Sequence, residues 1–146
     1  MNFSSFLLQE VLDEWTAALR ENEPRALELA YTLALTLPKG EGTAPSENAL
    51  SPELRELLLS AYQKYDALRA GTIEPVDLRN PNILAFQRVS GDERLLIVNN
   101  LSRRSQPVKF GAYTGRAGWD ILNRIEFTFP SRAQLEPYEF LWLLVE

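Results

Sequence analysis

The 146-residue sequence contains no cysteine and no histidine. Without cysteine there is no disulfide framework, no thiolate nucleophile and none of the common structural zinc sites. Without histidine the usual general base, the Ser-His-Asp triad and the commonest metal ligand are also missing. Bases are outnumbered, 15 Lys and Arg against 20 Asp and Glu, for a formal charge of −5. That balance argues against a nucleic-acid partner held through phosphate neutralisation. No apolar run approaches the ~20 residues of a bilayer span, and the longest candidate, residues 27–37, is interrupted by Glu28, Tyr31, Thr32 and Thr36. The N-terminus lacks the basic start of a signal peptide, and Gln9 and Glu10 break its apolar run early. These absences lead us to expect a cytoplasmic protein with no cofactor, no metal, no nucleic acid and no membrane, and not an enzyme.

What is present suffices for a core: 45% of residues are apolar and 10% aromatic. Charge and texture divide the chain near Gly71. Residues 1–70 carry 6 bases and 11 acids, whereas residues 71–146 carry 9 of each. In the first part Phe6, Leu7, Val11, Leu12, Trp15, Ala18 and Leu19 recur at helical spacing. Pro24 opens a second helix that stops at Pro38, residues 39–48 read as a loop, and Ser51-Pro52-Glu53 starts a third helix running through Leu68. Gly71 suits the C-terminal cap of that helix.

The second part reads as short strands at 83–89, 95–98, 107–110, 119–122, 125–129 and 140–145. The first two flank a Ser90-Gly91-Asp92-Glu93 turn. Pro75, Pro81, Pro107, Pro130 and Pro137 fall at or near the ends of such runs, where a missing donor is tolerated. The expected fold is therefore α+β, with about three N-terminal helices packed on a small C-terminal antiparallel β-sandwich.

With histidine and cysteine absent, hydrolysis would need carboxylates such as Asp120 and Glu126, or Glu136 and Glu139. These alternate with apolar residues, which points to solvated strand faces and turns instead. The doublet Arg103-Arg104 offers anion chemistry, but such doublets are ordinary surface. Gly111, Gly115 and Gly118 have neither P-loop nor dinucleotide spacing and read as turn residues. Tyr113 and Trp119 lie in or beside this glycine-rich stretch, where exposed rings would stack on sugar; both would then have to face one side of the sandwich. Trp15 fits the buried face of a helix, and at least one of Phe140 and Trp142, in an alternating apolar terminal strand, fits the core.

One family resemblance emerges from these residues. Leu78-Arg79-Asn80-Pro81-Asn82-Ile83-Leu84-Ala85-Phe86-Gln87-Arg88, followed by Gly91-Asp92-Glu93-Arg94-Leu95-Leu96-Ile97-Val98-Asn99-Asn100-Leu101-Ser102, resembles the start of the C-terminal β-sandwich of the α-amylase family, glycoside hydrolase family 13. Trp119-Asp120-Ile121-Leu122 and Leu135-Glu136-Pro137-Tyr138-Glu139-Phe140-Leu141-Trp142-Leu143 are similar to its last strands, with trehalose synthases, α-glucosidases and amylosucrases the nearest in kind. Upstream, residues 54–69 resemble the last barrel helix, and residues 25–38 the helix leading to the eighth barrel strand. After Pro38 the pattern departs, because Lys39-Gly40-Glu41-Gly42-Thr43 stands where the family has an apolar, tyrosine-rich strand.

The resemblance thus implies two parts. Residues 1–70 would be a helical segment like the end of a truncated barrel, and residues 71–146 the β-sandwich. The family's catalytic Asp/Glu/Asp motifs do not occur here, so no catalytic residue carries over. What the resemblance implies is a non-catalytic accessory or stabilising module that packs on a glycosidase or transglycosidase chain, or on a second copy. The alternative is a small α-glucan module contacting malto-oligosaccharide through Tyr113 and Trp119.

Overall fold

The computed structural model describes residues 7–38 and 50–146. Its elements run α1 (Gln9–Arg20), α2 (Pro24–Thr36), α3 (Pro52–Lys64), α4 (Asp66–Ala70), β1 (Thr72–Val76), β2 (Ile83–Ser90), β3 (Glu93–Asn100), β4 (Gln106–Lys109), β5 (Ala117–Asp120), β6 (Ile125–Thr128), β7 (Arg132–Leu135) and β8 (Phe140–Val145). The expected loop at 39–48 and the role of Phe6 lie outside the described residues. None of the described helices is long and apolar enough to cross a membrane.

Local chemistry explains the helix ends. The Glu23 carboxylate accepts from Ala26 N at 2.8 Å and Pro24 follows at the first helical position, so α2 starts with a satisfied donor. Ser51 Oγ does the same for Leu54 N at 3.2 Å, ahead of Pro52. The third expected helix is two helices. Tyr65 leaves helical geometry (φ −106°, ψ 111°), and α4 restarts with Ala67 N donating to Glu93 Oε1 at 2.8 Å. A distant carboxylate at the β2–β3 hairpin thus supplies an N-terminal partner that local sequence does not reveal.

Gly71 follows α4 at φ −72°, an ordinary extended conformation. Its role is close approach: a Cβ there would lie 2.4 Å from the Ala67 carbonyl oxygen and 2.8 Å from that of Val89. Gly91, at φ +58°, does need left-handed freedom, within the two-residue turn between paired Ser90 and Glu93.

The strands form an antiparallel sandwich. Six pair in the order β1-β2-β3-β8-β5-β6, and β4 pairs with β7 in a separate two-stranded sheet. Side chains alternate across the large sheet. Leu84, Phe86, Leu95, Ile97 and Trp142 face the helices, joining Val11, Leu29, Leu58 and Leu68 in one cluster. Ala85, Leu96, Val98, Leu143 and Val145 face the small sheet, packing on Val108, Phe110, Phe129 and Leu135. The central strands are therefore apolar on both sides, and the molecule has three layers: helices, large sheet and small sheet.

One buried cation joins the first two layers. Arg88, only 2% exposed, points from β2 into the helical side. Its Nη1 donates to Thr36 O at 2.6 Å, Nη2 to Gly71 O at 2.8 Å and Nε to Thr72 O at 3.2 Å. Burial pulls its pKa below the ordinary arginine value, with the neighbouring Tyr62 acting in the opposite direction. Replacing it with leucine strands these carbonyls. Arg88→Leu should cost about 3 kcal/mol or more in urea unfolding, since each orphaned buried acceptor costs ~1–3 kcal/mol. A loss below about 0.5 kcal/mol, the range of ordinary surface changes, would show that the carbonyls find other partners.

Candidate functional site

The sequence-selected aromatics lie in different layers. Tyr113 ends a 3-10 turn, Gly111–Tyr113, and packs on the inter-sheet cluster. Its ring lies tilted at 5.5 Å from Phe129, and its hydroxyl donates to Gln87 Oε1 at 3.0 Å. Trp119 sits in β5 opposite Glu126 and Leu144 and packs against the helix-facing cluster. Both rings are half-buried, with the large sheet between them. They do not make one platform. Trp142 is wholly buried and Phe140 half-buried, both on the helix-facing side with Trp15.

The acids do structural work at turns. Asp120 accepts from Leu122 N, Asn123 N and Asn123 Nδ2 at 3.1, 3.0 and 2.9 Å, closing the β5–β6 turn. Asp120 pairs with Ile125, and Trp119 with Glu126. Directly opposed residues share a face and successive residues alternate, so Asp120 and Glu126 project to opposite sides of the sheet and cannot converge. Glu139 Oε1 accepts from Glu136 N at 2.7 Å, and Glu136 reaches Arg25 of α2 at 3.6 Å. This stapled turn holds buried Tyr138 at φ +58°. Arg103 and Arg104 both approach Glu14 of α1, at 4.0 and 3.6 Å, tying the β3–β4 loop to the helices.

The glycines also have backbone explanations. Gly111 and Gly115 adopt φ +55° and +85°, while a Cβ on Gly118 would lie 2.7 Å from the Phe127 ring. No group of three or more Asp, Glu, His or Cys able to hold a metal exists among the described residues.

Several surface grooves occur among the described residues, including one of about 330 Å³ beside Gly118 and Phe127 and one of about 140 Å³ beside Val11 and Asn82. Two others lie between the helices and the sheet. One, of about 480 Å³, lies beside Tyr138 and is edged by Glu14, Glu21, Glu23, Arg25 and Arg103. The other, of about 290 Å³, runs between α3 and the β5–β6 turn, with Trp119, Leu57 and Ile121 in its wall and Ser60, Lys64 and Arg124 supplying polar groups. Sequence reasoning reached Trp119 but missed its neighbours. Ser60, Lys64 and Arg124 form no motif, and only the fold gathers them.

Fold and surface together define a helix-covered antiparallel β domain with shallow grooves. Residues 73–142 match the family model of the maltogenic amylase C-terminal domain. A trehalose synthase from Pimelobacter sp. (strain R48) is 30% identical over 95 residues, covering 58% of this chain and 17% of that protein. Residues 73–142 are thus similar to a C-terminal domain of α-amylase-family enzymes. Among solved structures, the E221Q variant of AmyP in complex with maltotriose matches 84% of this chain and 35% of its own (TM-score 0.65, 13% identity). The Anoxybacillus α-amylase matches 83% and 32% (TM-score 0.62, 15% identity). The chain therefore spans about a sixth of the trehalose synthase and a third of these two amylases.

Burial raises the phenol pKa of Tyr65, Tyr113 and Tyr138 above the ordinary value of 10.0. Glu93 adds to the shift at Tyr65, Arg94 and Arg116 oppose it at Tyr113, and Glu23 and Glu14 add to it at Tyr138. A folded-state pKa above the unfolded one means that the native chain holds protons the unfolded chain releases. Stability from these groups is fully present below pH ~10 and lost as pH rises through the folded values. An ultraviolet phenolate titration should show part of the tyrosine population ionising late, together with unfolding. Ionisation of all five tyrosines near the free value, with the fold intact, would contradict this.

Proposed function

We infer that this chain is a non-catalytic packing module of an amylase-type enzyme, docking on a catalytic barrel or on a second copy of itself. The observation that carries this reading is the extent of the structural likeness. Residues 71–146 are only about half of the 146, yet the amylase matches cover 83–84% of the chain, so they run into the helices. Residues 1–70 then correspond to the end of a barrel, and α2 to α4 form the layer that joins the sandwich to the rest of an enzyme. The divergence of the candidate carboxylates supports the absence of catalysis.

A second reading, contact with an α-glucan, draws on the half-buried indole of Trp119 in its groove. Tyr113, packed on Phe129 and hydrogen-bonded to Gln87 on the other side of the sheet, does not share that contact, so the expected two-ring platform reduces to Trp119 alone.

Two experiments test the packing role. The isolated chain should release no reducing sugar from maltotriose; hydrolysis abolished by Asp120→Asn or Glu126→Gln would overturn it. In the Pimelobacter trehalose synthase, truncation of the C-terminal segment matching residues 73–142 should cause aggregation, and substitution by this β domain should restore a soluble enzyme. A truncated enzyme as stable as the intact one would remove the case for stabilisation. For the second reading, maltose should produce saturable amide shifts at Trp119, and their absence at millimolar sugar would exclude it.

A further inference from the structure

We propose that the groove between α3 and the β5–β6 turn binds a phosphorylated hexose, its ring against Trp119 and its phosphate between Lys64 and Arg124. The proposal rests on the ring contact of the glucan reading and adds an anionic group to it.

Size sets the first constraint. At about 290 Å³ the groove stands at the lower end of small-molecule sites and fits one sugar ring rather than a long oligosaccharide. Its apolar wall, including Leu57, Ile121 and Trp119, suits the C–H face of a pyranose, and Ser60 offers a hydroxyl to the ring's own hydroxyls.

Charge sets the second. The whole chain carries −5, yet the groove is lined by two cations and no carboxylate. Among the described residues neither Lys64 nor Arg124 has an ion-pair partner; the Lys64 ammonium lies 5.6 Å from the centre of the Tyr65 ring. A phosphate needs such a pair, a guanidinium fork for two oxygens and an ammonium as a compact charge.

Backbone geometry is the independent third observation. Arg124 adopts φ +58°, where glycine or asparagine is the undemanding choice. The turn is locked there by Arg124 N donating to Asp120 O at 2.8 Å and by the three donors on the Asp120 carboxylate. An arginine thus occupies a strained position at the groove's edge, and strained residues of this kind gather at binding sites.

The test is titration of the chain with glucose 6-phosphate, glucose and inorganic phosphate in turn, followed by amide shifts and tryptophan fluorescence. Glucose 6-phosphate should bind at least about tenfold more tightly than either part, a difference of ~1.4 kcal/mol, with shifts centred on Ser60, Trp119 and Arg124. Arg124→Gly should raise the melting temperature by relieving the turn while weakening glucose 6-phosphate about tenfold or more and leaving glucose unchanged. Lys64→Gln should weaken the phosphorylated sugar without raising the melting temperature. Undiminished affinity for glucose 6-phosphate in Arg124→Gly overturns the proposal, and so do shifts that centre elsewhere. If glucose and maltose move Trp119 but phosphate adds nothing, the anionic site falls and the ring contact stands. If no sugar moves Trp119, both fall.

Discussion

The guanidinium of Arg88 is the constraint on which the relation between helices and sheet depends. It lies in the layer between them, where among the described residues it has no carboxylate partner and donates to the carbonyl oxygens of Thr36, Gly71 and Thr72. Thr36 ends α2, so its carbonyl belongs to the electronegative end of a helix, a natural seat for a cation. Hydrogen bonds to a charged donor contribute ~1.5–3 kcal/mol each, while desolvating the charge costs several kcal/mol. These magnitudes nearly offset one another. The chief effect of Arg88 is therefore geometric: it fixes where α2 ends and where β1 begins relative to β2. Gly71 completes that junction by allowing backbone contact that no Cβ would permit.

From this junction the alternation of the sheet does the rest. β2, β3 and β8 carry apolar side chains on both faces, so the large sheet is buried between helices on one side and the β4–β7 pair on the other. A shared helix–sheet core is what a module needs if its helices are to transmit a firm attachment to its sandwich. The Trp119 groove lies at the seam where α3 meets the β5–β6 turn.

Much of this was legible in the sequence because the period of apolar residues changes from helical spacing to alternation near Gly71. The β2–β3 hairpin, the start of α2 and the capped start of α3 were readable from Gly91, Pro24 and Ser51-Pro52, where local chemistry decides the conformation; the Glu23 cap was not. Other features depend on distant partners. β1 was missed because Thr72–Val76 is short, polar at two of its five positions and centred near Pro75; among the described strands it is an edge strand paired with β2, where a missing donor is tolerated. β7, with Arg132 and Gln134 among its four residues, looks like a loop until β4 pairs with it. The break at Tyr65 answers to Glu93, well beyond any local window. At the candidate site the sequence offered rings and carboxylates by type; register then placed Tyr113 and Trp119 in different layers and brought up Lys64 and Arg124, which no spacing rule selects.

The position of β8 bears on how the chain is made. Phe140–Val145 lies in the middle of the large sheet, hydrogen-bonded to β3 on one side and β5 on the other. During synthesis the β2–β3 hairpin can form early, but β3 presents an open apolar edge until residues 140–145 have left the ribosome. Closure of the sheet is therefore necessarily a late event. Until then the nascent protein carries an unpaired strand edge of the kind that chaperones shield.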